Sequence, residues 1–181
     1  MRDGEAVEER MSPAIALTAA LDDLLRSARV DPDELDALAV GVGPGSFTGL
    51  RMGLATARGL ALSLDLPVAG VSTLDALSAG APGAMPVIDA KRREIFTVLS
   101  STPVCLRPED LALEPGTVCV GDGAIRYRSV LEAAGAEVPP DGSELHLPRA
   151  RFHAQRARDF GPAELVEPMY LRVPDAERAR A

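Results

Sequence analysis

The spacing of apolar residues along the chain predicts alternating strands and helices. Short apolar runs over 38–40 and 68–71 are bounded by polar residues, glycine or proline and are typical of buried strands. Between them, apolar and small residues recur at helical spacing over 47–63. This order of strand, helix and strand is typical of an α/β fold.

A glycine-rich loop joins the first strand to this helix. Gly43-Pro44-Gly45 combines residues that permit positive φ with one that lacks a backbone donor, so we expect a sharp turn. Ser46 fits the N-cap of the helix, because its hydroxyl can accept a hydrogen bond from a first-turn N–H. A phosphate cradle is an alternative function for the loop, since helix N-termini bind anions. The P-loop lysine and the G-x-G-x-x-G spacing are both absent, which favours a structural turn.

A second amphipathic helix precedes the first strand. Ser12 and Pro13 fit its N-cap and first position, and the helical pattern continues over 13–28. Its apolar residues recur at helical spacing: Ile15, Leu21, Leu24, Leu25 and Ala28. The chain thus carries one amphipathic helix rich in leucine and another, over 47–63, rich in small residues.

The second half of the chain begins the pattern again. Apolar runs near 87, over 95–99, near 104 and over 118–120 predict strands, and 124–134 predicts a helix that ends at Gly135. Small residues, glycine and proline over 79–86 are typical of a connection between lobes. We therefore predict two lobes, 1–84 and 85–181, with the C-terminal tail returning to the first.

Three glycines lie inside the helix over 47–63. Gly49, Gly53 and Gly59 each cost about 1 kcal/mol relative to alanine. Gly49 and Gly53 continue with Ala57 and Ala61 as a smooth stripe, on which another helix or a sheet can lie close. A second stripe beside it contains Phe47, Leu50, Leu54 and Arg58. Both stripes can be buried only if the helix is packed on more than one side, and one of the packing partners can be another protein.

Composition narrows the class of protein. The chain of 181 residues has 46% hydrophobic residues and no apolar run long enough to span a membrane, so we expect a globular protein of the cytoplasm. Cys105 and Cys119 lie in short apolar segments and are expected to be reduced core residues rather than a disulfide or metal pair. The net charge of −8 argues against a protein that binds nucleic acid by itself.

Two clusters of basic residues bear on whether the chain contacts nucleic acid. Lys91-Arg92-Arg93 falls at a predicted turn between two strands. The second group lies on a predicted helix between Pro148 and Gly161 and contains Arg149, Arg151, Arg156 and Arg158. A solvated face is the favoured interpretation of both groups. Contact with nucleic acid inside a larger assembly is the alternative.

The sequence offers little catalytic machinery. His146 and His153 are the only histidines, and Pro148 between them argues against one helix that presents both to a metal. We expect both to be ordinary surface or boundary residues. Ser46 lacks the G-x-S-x-G context of a hydrolase nucleophile. Asp89 could bind a metal, but a turn-capping role is favoured, so we predict no catalytic and no metal residues.

The run from Gly43 to Arg51, Gly-Pro-Gly-Ser-Phe-Thr-Gly-Leu-Arg, resembles the signature of the TsaB (YeaZ) family. The resemblance continues through 59–62 and 67–77 and returns at 86–90, 94–96 and 167–172, so that it extends over 3–174. Members of this family are bacterial proteins of the actin-like ATPase superfold (ASKHA, RNase H-like) that help to make threonylcarbamoyladenosine on transfer RNA. The resemblance implies an α/β fold of two small lobes.

The resemblance also implies a role and partners. This chain would be a non-catalytic scaffold that forms a heterodimer with a TsaD-like transferase subunit, which a TsaE-like ATPase and tRNA would join. ATP would be used by the complex, with no cofactor bound by this chain alone. A homodimer through the same face is a competing possibility. The residues expected at the partner interface are Ile15, Leu21, Leu25, Phe47, Gly49, Leu50, Gly53, Leu54 and Ala57.

One departure from the family lies at the N-terminus. Family members begin with an apolar strand, a turn and a second strand, and only Asp3-Gly4 resembles such a turn here. The resemblance therefore implies a first lobe truncated at its N-terminus, through either a fragmentary chain or a misassigned start.

Two rival classes stay open at this point. An independent ATP-binding enzyme of the superfold would bind nucleotide as the isolated chain, although the second phosphate hairpin, over 89–94, has no glycine for a close backbone approach. A remnant glycopeptidase-like hydrolase would lose turnover when Ser46 or Asp89 is changed.

Overall fold

The computed structural model describes Met1 and residues 5–172. Within this part of the chain, the α-helices are α1 (Leu17–Ala28), α2 (Phe47–Leu64), α3 (Thr73–Gly80), α4 (Asp122–Arg126), α5 (Arg128–Ala133) and α6 (Ala150–Arg156). The strands are β1 (Leu38–Gly43), β2 (Val68–Ser72), β3 (Met85–Pro86), β4 (Ile88–Lys91), β5 (Glu94–Leu99), β6 (Thr102–Leu106) and β7 (Cys119–Val120). The predicted alternation of strands and helices is confirmed.

The first sheet is a parallel pair that carries α2. Strands β1 and β2 align with Leu38 opposite Val68. The Ser46 hydroxyl accepts a hydrogen bond from the N–H of Gly49 at 3.4 Å, which confirms the predicted N-cap of α2. Helix α2 packs on β1 and β2, and its buried residues are Leu54, Ala57 and Ala61.

Two further sheets form the second half of the chain. Strands β4, β5 and β6 are antiparallel neighbours, and β3 pairs in parallel with β7. A core cluster in this half includes Val87, Ile95 and Leu131. Another cluster joins α3, through Leu74 and Leu77, to the β4–β5 pair. Because α3 also packs on β1 and β2, this helix shares core contacts with both halves of the chain.

The helix predicted over 124–134 is two helices. Tyr127, with φ −108° and ψ 24°, interrupts it between α4 and α5. The two pieces pack on different neighbours, because α4 lies against β4 and β7 while α5 lies against the 3-10 turn at Pro108–Asp110. Gly135 follows α5 with φ 94°, as predicted for a residue at this position.

The α-helix predicted over 13–28 begins later in the structure than the sequence predicted. Its first turn is a 3-10 segment, Ala14–Ala16, and the α-helix starts at Leu17. The predicted capping by Ser12 is wrong, because its hydroxyl bonds to the carbonyl oxygen of Pro13 (3.1 Å) rather than to a first-turn N–H. The predicted end at Ala28 is confirmed.

The segment 161–172 runs back along the first sheet. Gly161 and Val68 exchange backbone hydrogen bonds of 2.8 and 3.2 Å, and the N–H of Met169 donates to the carbonyl oxygen of Val42 at 2.7 Å. The guanidinium of Arg58 on α2 donates to the carbonyl oxygen of Val166 at 2.6 Å. The predicted turn at Asp3-Gly4 lies outside the described residues.

None of the helices in the described part of the chain is both long and apolar enough to cross a bilayer.

Candidate functional site

A cavity of about 610 Å³ opens between the glycine loop and the turn that joins β4 to β5. Three segments line it: 44–48 with Leu50, 88–91 with Phe96 and Asp122, and 169–172. Gly43, at the start of the loop, has φ 101°, and an added Cβ would lie 2.9 Å from Cδ1 of Leu50. The predicted sharp turn is thus confirmed, and it places the N-terminus of α2 on one wall of the cavity.

Asp89 is the most tightly held charged group of the cavity. Its side chain is 3% exposed. One oxygen, Oδ1, accepts hydrogen bonds from the N–H of Lys91 (2.9 Å) and the hydroxyl of Tyr127 (3.3 Å). The other, Oδ2, pairs with Nζ of Lys91 (2.7 Å) and Nε of Arg126 (3.5 Å). The backbone bond from Lys91 confirms the turn-capping role, whereas Arg126 and Tyr127 were not predicted.

The turn after Asp89 is basic and contains no glycine. Lys91, Arg92 and Arg93 have φ values of 61°, 55° and 62°, in the left-handed region that residues other than glycine rarely adopt. All three side chains are exposed. Glu94, at the start of β5, pairs with Arg172 of the returning segment. The turn therefore presents its positive charges beside the cavity.

The second basic group is partly neutralised. The side chain of Arg149 is only 17% exposed and pairs with Glu144 and with Glu9 (3.7 Å). Arg151 pairs with the same Glu9 at 3.4 Å. The prediction of a solvated face is therefore wrong for Arg149, because the N-terminal segment brings a largely buried carboxylate against it.

The two histidines differ in their surroundings. His146 is 4% exposed, so the expectation of a surface or boundary residue is wrong for it. Its Nδ1 accepts a hydrogen bond from the N–H of Gly121 (3.0 Å), and its Nε2 lies 3.1 Å from the carbonyl oxygen of Pro139. His153 is half-buried, as expected of a boundary residue, and burial lowers its pKa. His146 thus links its own segment to the loops at Gly121 and Pro139 by hydrogen bonds.

The two cysteines differ in burial: Cys119 is buried and Cys105 half-buried. Burial raises the pKa of Cys119 to about 11, so the thiol is protonated at neutral pH. The predicted core position is confirmed for Cys119. In the described ranges, no group of three His, Cys, Asp or Glu side chains could hold a metal ion.

The predicted interface residues fall into three groups. Ile15 (88%) and Phe47 (51%) are exposed. The half-buried members are Leu21, Leu25, Gly49, Leu50 and Gly53. Leu54 and Ala57 are 5% and 9% exposed and face the core of the chain itself, so their side chains are not available to a partner.

Comparison with known proteins decides the family. The family model described as TsaD, tRNA N6-adenosine threonylcarbamoyltransferase, matches residues 14–115. An uncharacterized protein of Mycobacterium tuberculosis is 35% identical over 182 residues, which cover 97% of this chain and 79% of the relative. The tRNA threonylcarbamoyladenosine biosynthesis protein TsaB of Escherichia coli is 44% identical over 82 residues, or 42% of this chain and 36% of that protein. The structure of YeaZ from Pseudomonas aeruginosa superposes with a TM-score of 0.70 at 27% identity, covering 90% of this chain and 87% of that one.

The chain belongs to the TsaB (YeaZ) family. Its fold is accordingly the actin-like, RNase H-like α/β fold, as the glycine-loop signature predicted. The relatives that carry the TsaB name match less than half of the chain. In this TsaB-family chain, the cavity lies where the signature loop meets the second half.

The charge network around Asp89 predicts a dependence of stability on pH. Burial raises the pKa of Asp89, but hydrogen bonds from Lys91 and the charges of Lys91 and Arg126 lower it by more, so that it falls below its ordinary value of 3.8. A carboxylate with a lowered pKa stabilises the folded state above its unfolded pKa, and this contribution disappears as the pH falls through the folded value. We expect the free energy of unfolding in urea to fall from about pH 4 downward, and to fall less in the Asp89→Asn variant. Equal falls in both proteins would contradict the prediction.

Proposed function

We propose that this TsaB-family chain is a non-catalytic scaffold subunit of the complex that makes N6-threonylcarbamoyladenosine in tRNA, where it binds and stabilises a TsaD-like transferase subunit. The name of its TsaB relatives, tRNA threonylcarbamoyladenosine biosynthesis protein, supports the pathway. The match of residues 14–115 to the TsaD family model supports a partner of the same fold, because similar folds can pack through equivalent elements.

The observation that carries the proposal is the empty space beside the glycines of α2. A Cβ added at Gly53 or Gly59 would meet no atom within 4 Å, and one at Gly49 would meet only Ser46. Glycine inside a helix costs about 1 kcal/mol relative to alanine, so each of these positions destabilises the helix without allowing a close contact inside the chain. A partner helix packed on the groove at Gly49 and Gly53 would provide that contact.

The surroundings of the groove support the same partner. Helix α1 contains no buried residue, although apolar side chains recur along it. Ile15 before α1 and Phe47 at the start of α2 are large, apolar and exposed. Apolar side chains at the centre of an interface are a common basis for stable association. The proposed face is therefore Ile15, Leu21, Leu25, Phe47, Gly49, Leu50 and Gly53.

The two candidate catalytic side chains, Ser46 and Asp89, have structural roles. The Ser46 hydroxyl caps α2, and the carboxylate of Asp89 is held by Lys91, Arg126 and Tyr127. This supports a subunit without catalysis of its own. In this proposal the complex uses ATP, a TsaE-like ATPase and tRNA join through the complex, and this chain alone holds no cofactor. A homodimer through the same face competes with the heterodimer.

The test measures complex mass by size-exclusion chromatography with light scattering, using the full chain and the TsaD-like subunit of the same organism. We expect a one-to-one heterodimer. Ile15→Asp should weaken it by about tenfold or more, because a carboxylate is desolvated in an apolar contact. Leu62→Asp is the matched control: Leu62 is 87% exposed, against 88% for Ile15, and lies outside the proposed face.

Three outcomes would count against the proposal. A folded wild-type chain that elutes apart from the TsaD-like subunit would refute the partner. A stable homodimer that excludes the TsaD-like subunit would assign the face to self-association. Equal loss of binding in Ile15→Asp and Leu62→Asp would place the contact elsewhere.

A further inference from the structure

The signature run and the returning segment 161–172 meet at three side chains, Phe47, Arg51 and Tyr170, which we call the stacked cluster. The rings of Phe47 and Tyr170 are 5.8 Å apart and inclined by 33°. The guanidinium of Arg51, one helical turn after Phe47, lies 4.0 Å from the centre of the Phe47 ring, and its Nε donates to the Tyr170 hydroxyl at 3.4 Å. The three side chains therefore form one connected unit at the surface.

Both rings of the stacked cluster are half exposed. Phe47 is 51% and Tyr170 46% exposed, in a chain with only four phenylalanines, two tyrosines and no tryptophan. Large apolar side chains gain free energy when they leave water, so two adjacent exposed rings indicate a surface that another molecule covers. Aromatic residues and arginine are also enriched at the centres of protein–protein interfaces.

The backbone on either side of Tyr170 is held in place. The N–H of Met169 donates to the carbonyl oxygen of Val42 at 2.7 Å, and Arg172 pairs with Glu94. A ring presented by a fixed backbone loses little conformational freedom when a partner binds it, and this raises affinity. The stacked cluster is thus arranged for binding before any partner arrives.

Arg51 adds a positive charge to the stacked cluster. Its side chain is exposed, and no carboxylate among the residues that the structure describes pairs with it. A guanidinium that stacks on a ring keeps other N–H donors free for a planar, bidentate contact with a carboxylate. The stacked cluster therefore fits a protein surface with an apolar recess for the two rings and a carboxylate beside it.

We propose that the stacked cluster is a second contact with the TsaD-like subunit, which covers the rings of Phe47 and Tyr170 and pairs an aspartate or glutamate with Arg51. This inference deepens the proposed function and rests on it for the identity of the partner. Phe47 already belongs to the proposed face, so the stacked cluster continues that face from α2 to the returning segment. It gives a role to Arg51, the last residue of the signature run, and to Tyr170 of the motif at 167–172.

The test is isothermal titration calorimetry of the full chain with the TsaD-like subunit of the same organism in about 0.1 M KCl. Tyr170→Ala should lose about tenfold in affinity, whereas Tyr170→Phe, which keeps the ring, should stay within about threefold. Phe160→Ala is the matched control, because Phe160 is 48% exposed and lies outside both the stacked cluster and the proposed face. It should stay within about twofold.

Arg51 is tested through its charge. Arg51→Glu should lose at least about tenfold in affinity, because it sets two carboxylates against each other. Arg51→Lys keeps the charge without the planar fork and should lose about threefold. The affinity of Arg51→Gln should depend less steeply on salt than that of the wild type, because one charge pair is gone. Arg107→Glu makes the same reversal at an exposed arginine of the second half and should stay within about twofold.

Several results would overturn the inference. Wild-type affinity in Tyr170→Ala and Arg51→Glu would exclude the stacked cluster from the interface. Equal losses in Phe160→Ala and Arg107→Glu would indicate a non-specific effect. Thermal melting of each variant examines a purely structural role: affinity losses that follow the losses in Tm, with a salt dependence unchanged in Arg51→Gln, would show that the cluster only fastens the returning segment to α2.

The same titrations separate this inference from the proposed function. A folded wild-type chain that does not bind the TsaD-like subunit would refute both. A heterodimer that Ile15→Asp weakens, but that Tyr170→Ala and Arg51→Glu leave intact, would refute the stacked cluster and leave the proposed function standing. Weaker binding in all three variants, with both controls unchanged, would support both.

Discussion

Replacement of Gly53 by arginine is expected to abolish the heterodimer with the TsaD-like subunit, lowering affinity by about a hundredfold or more. Gly53 lies in the interior of α2, and a Cβ there meets no atom of the chain within 4 Å. A side chain can therefore leave the helix at this position without a clash at its Cβ, and we expect the isolated chain to fold. The arginine would, however, project into the space that the partner helix is proposed to fill, and the two helices could no longer approach closely.

Gly53→Ala is the matched control for this experiment. Alanine adds one methyl group and should stabilise the isolated chain by about 0.5–1 kcal/mol, because it raises helix propensity at an unstrained position. Isothermal titration calorimetry with the TsaD-like subunit measures affinity for both variants, and thermal melting measures their stability. Undiminished binding by a folded Gly53→Arg variant would remove the groove from the interface.

The largest loss of stability is expected from Gly121→Ala. Gly121, between β7 and α4, has φ 113°, and a Cβ there would lie 2.3 Å from the carbonyl oxygen of Val87. Neither atom can move away easily, because the same carbonyl accepts a hydrogen bond from Gly123 at 3.1 Å. Strained backbone together with a clash against the backbone of the buried Val87 should cost about 3 kcal/mol or more. For a chain of this size, that lowers Tm by about 6–12 °C.

Gly142→Ala supplies the comparison for Gly121→Ala. A Cβ at Gly142 meets no atom within 4 Å, and its φ is outside the left-handed region. We expect a change in unfolding free energy of less than about 1 kcal/mol, because alanine is compatible with that backbone. Urea unfolding of both variants at neutral pH gives the comparison. Similar unfolding midpoints for the two variants would show that the backbone at Val87 yields to the added methyl group.

The parts of the fold that the sequence predicted depend on local signals. The N-cap at Ser46, the end of α1 at Ala28 and the turn at Gly43 each follow from a few neighbouring residues. The break at Tyr127 could not be predicted from local signals, because the residues on both sides of it favour a helix. It arises because α4 and α5 pack on different neighbours. The capping expected of Ser12 failed because a 3-10 turn precedes α1.

The candidate site was predictable only in part. The glycine loop, Asp89 and the basic turn were each visible in the sequence, but nothing in their spacing indicated that they enclose one cavity. Tyr170 belongs to a family motif whose position in space depends on the return of 161–172 along the first sheet. That return rests on long-range backbone bonds, such as the one between Met169 and Val42. A similar long-range contact pairs Arg149 with Glu9. It makes Arg149 largely buried, whereas the sequence predicted a solvated arginine.

The core position of α3 has a consequence for how the cavity meets a ligand. Leu74 and Leu77 are almost fully buried against strands of the second half, while the same helix packs on the first sheet. A hinge between the halves would have to pull these leucines out of their contacts, at a cost of several kcal/mol, on the order of 2 kcal/mol for each side chain. We expect these contacts to keep the two halves together, so that a ligand enters a cleft already close to its final width and binds without domain closure.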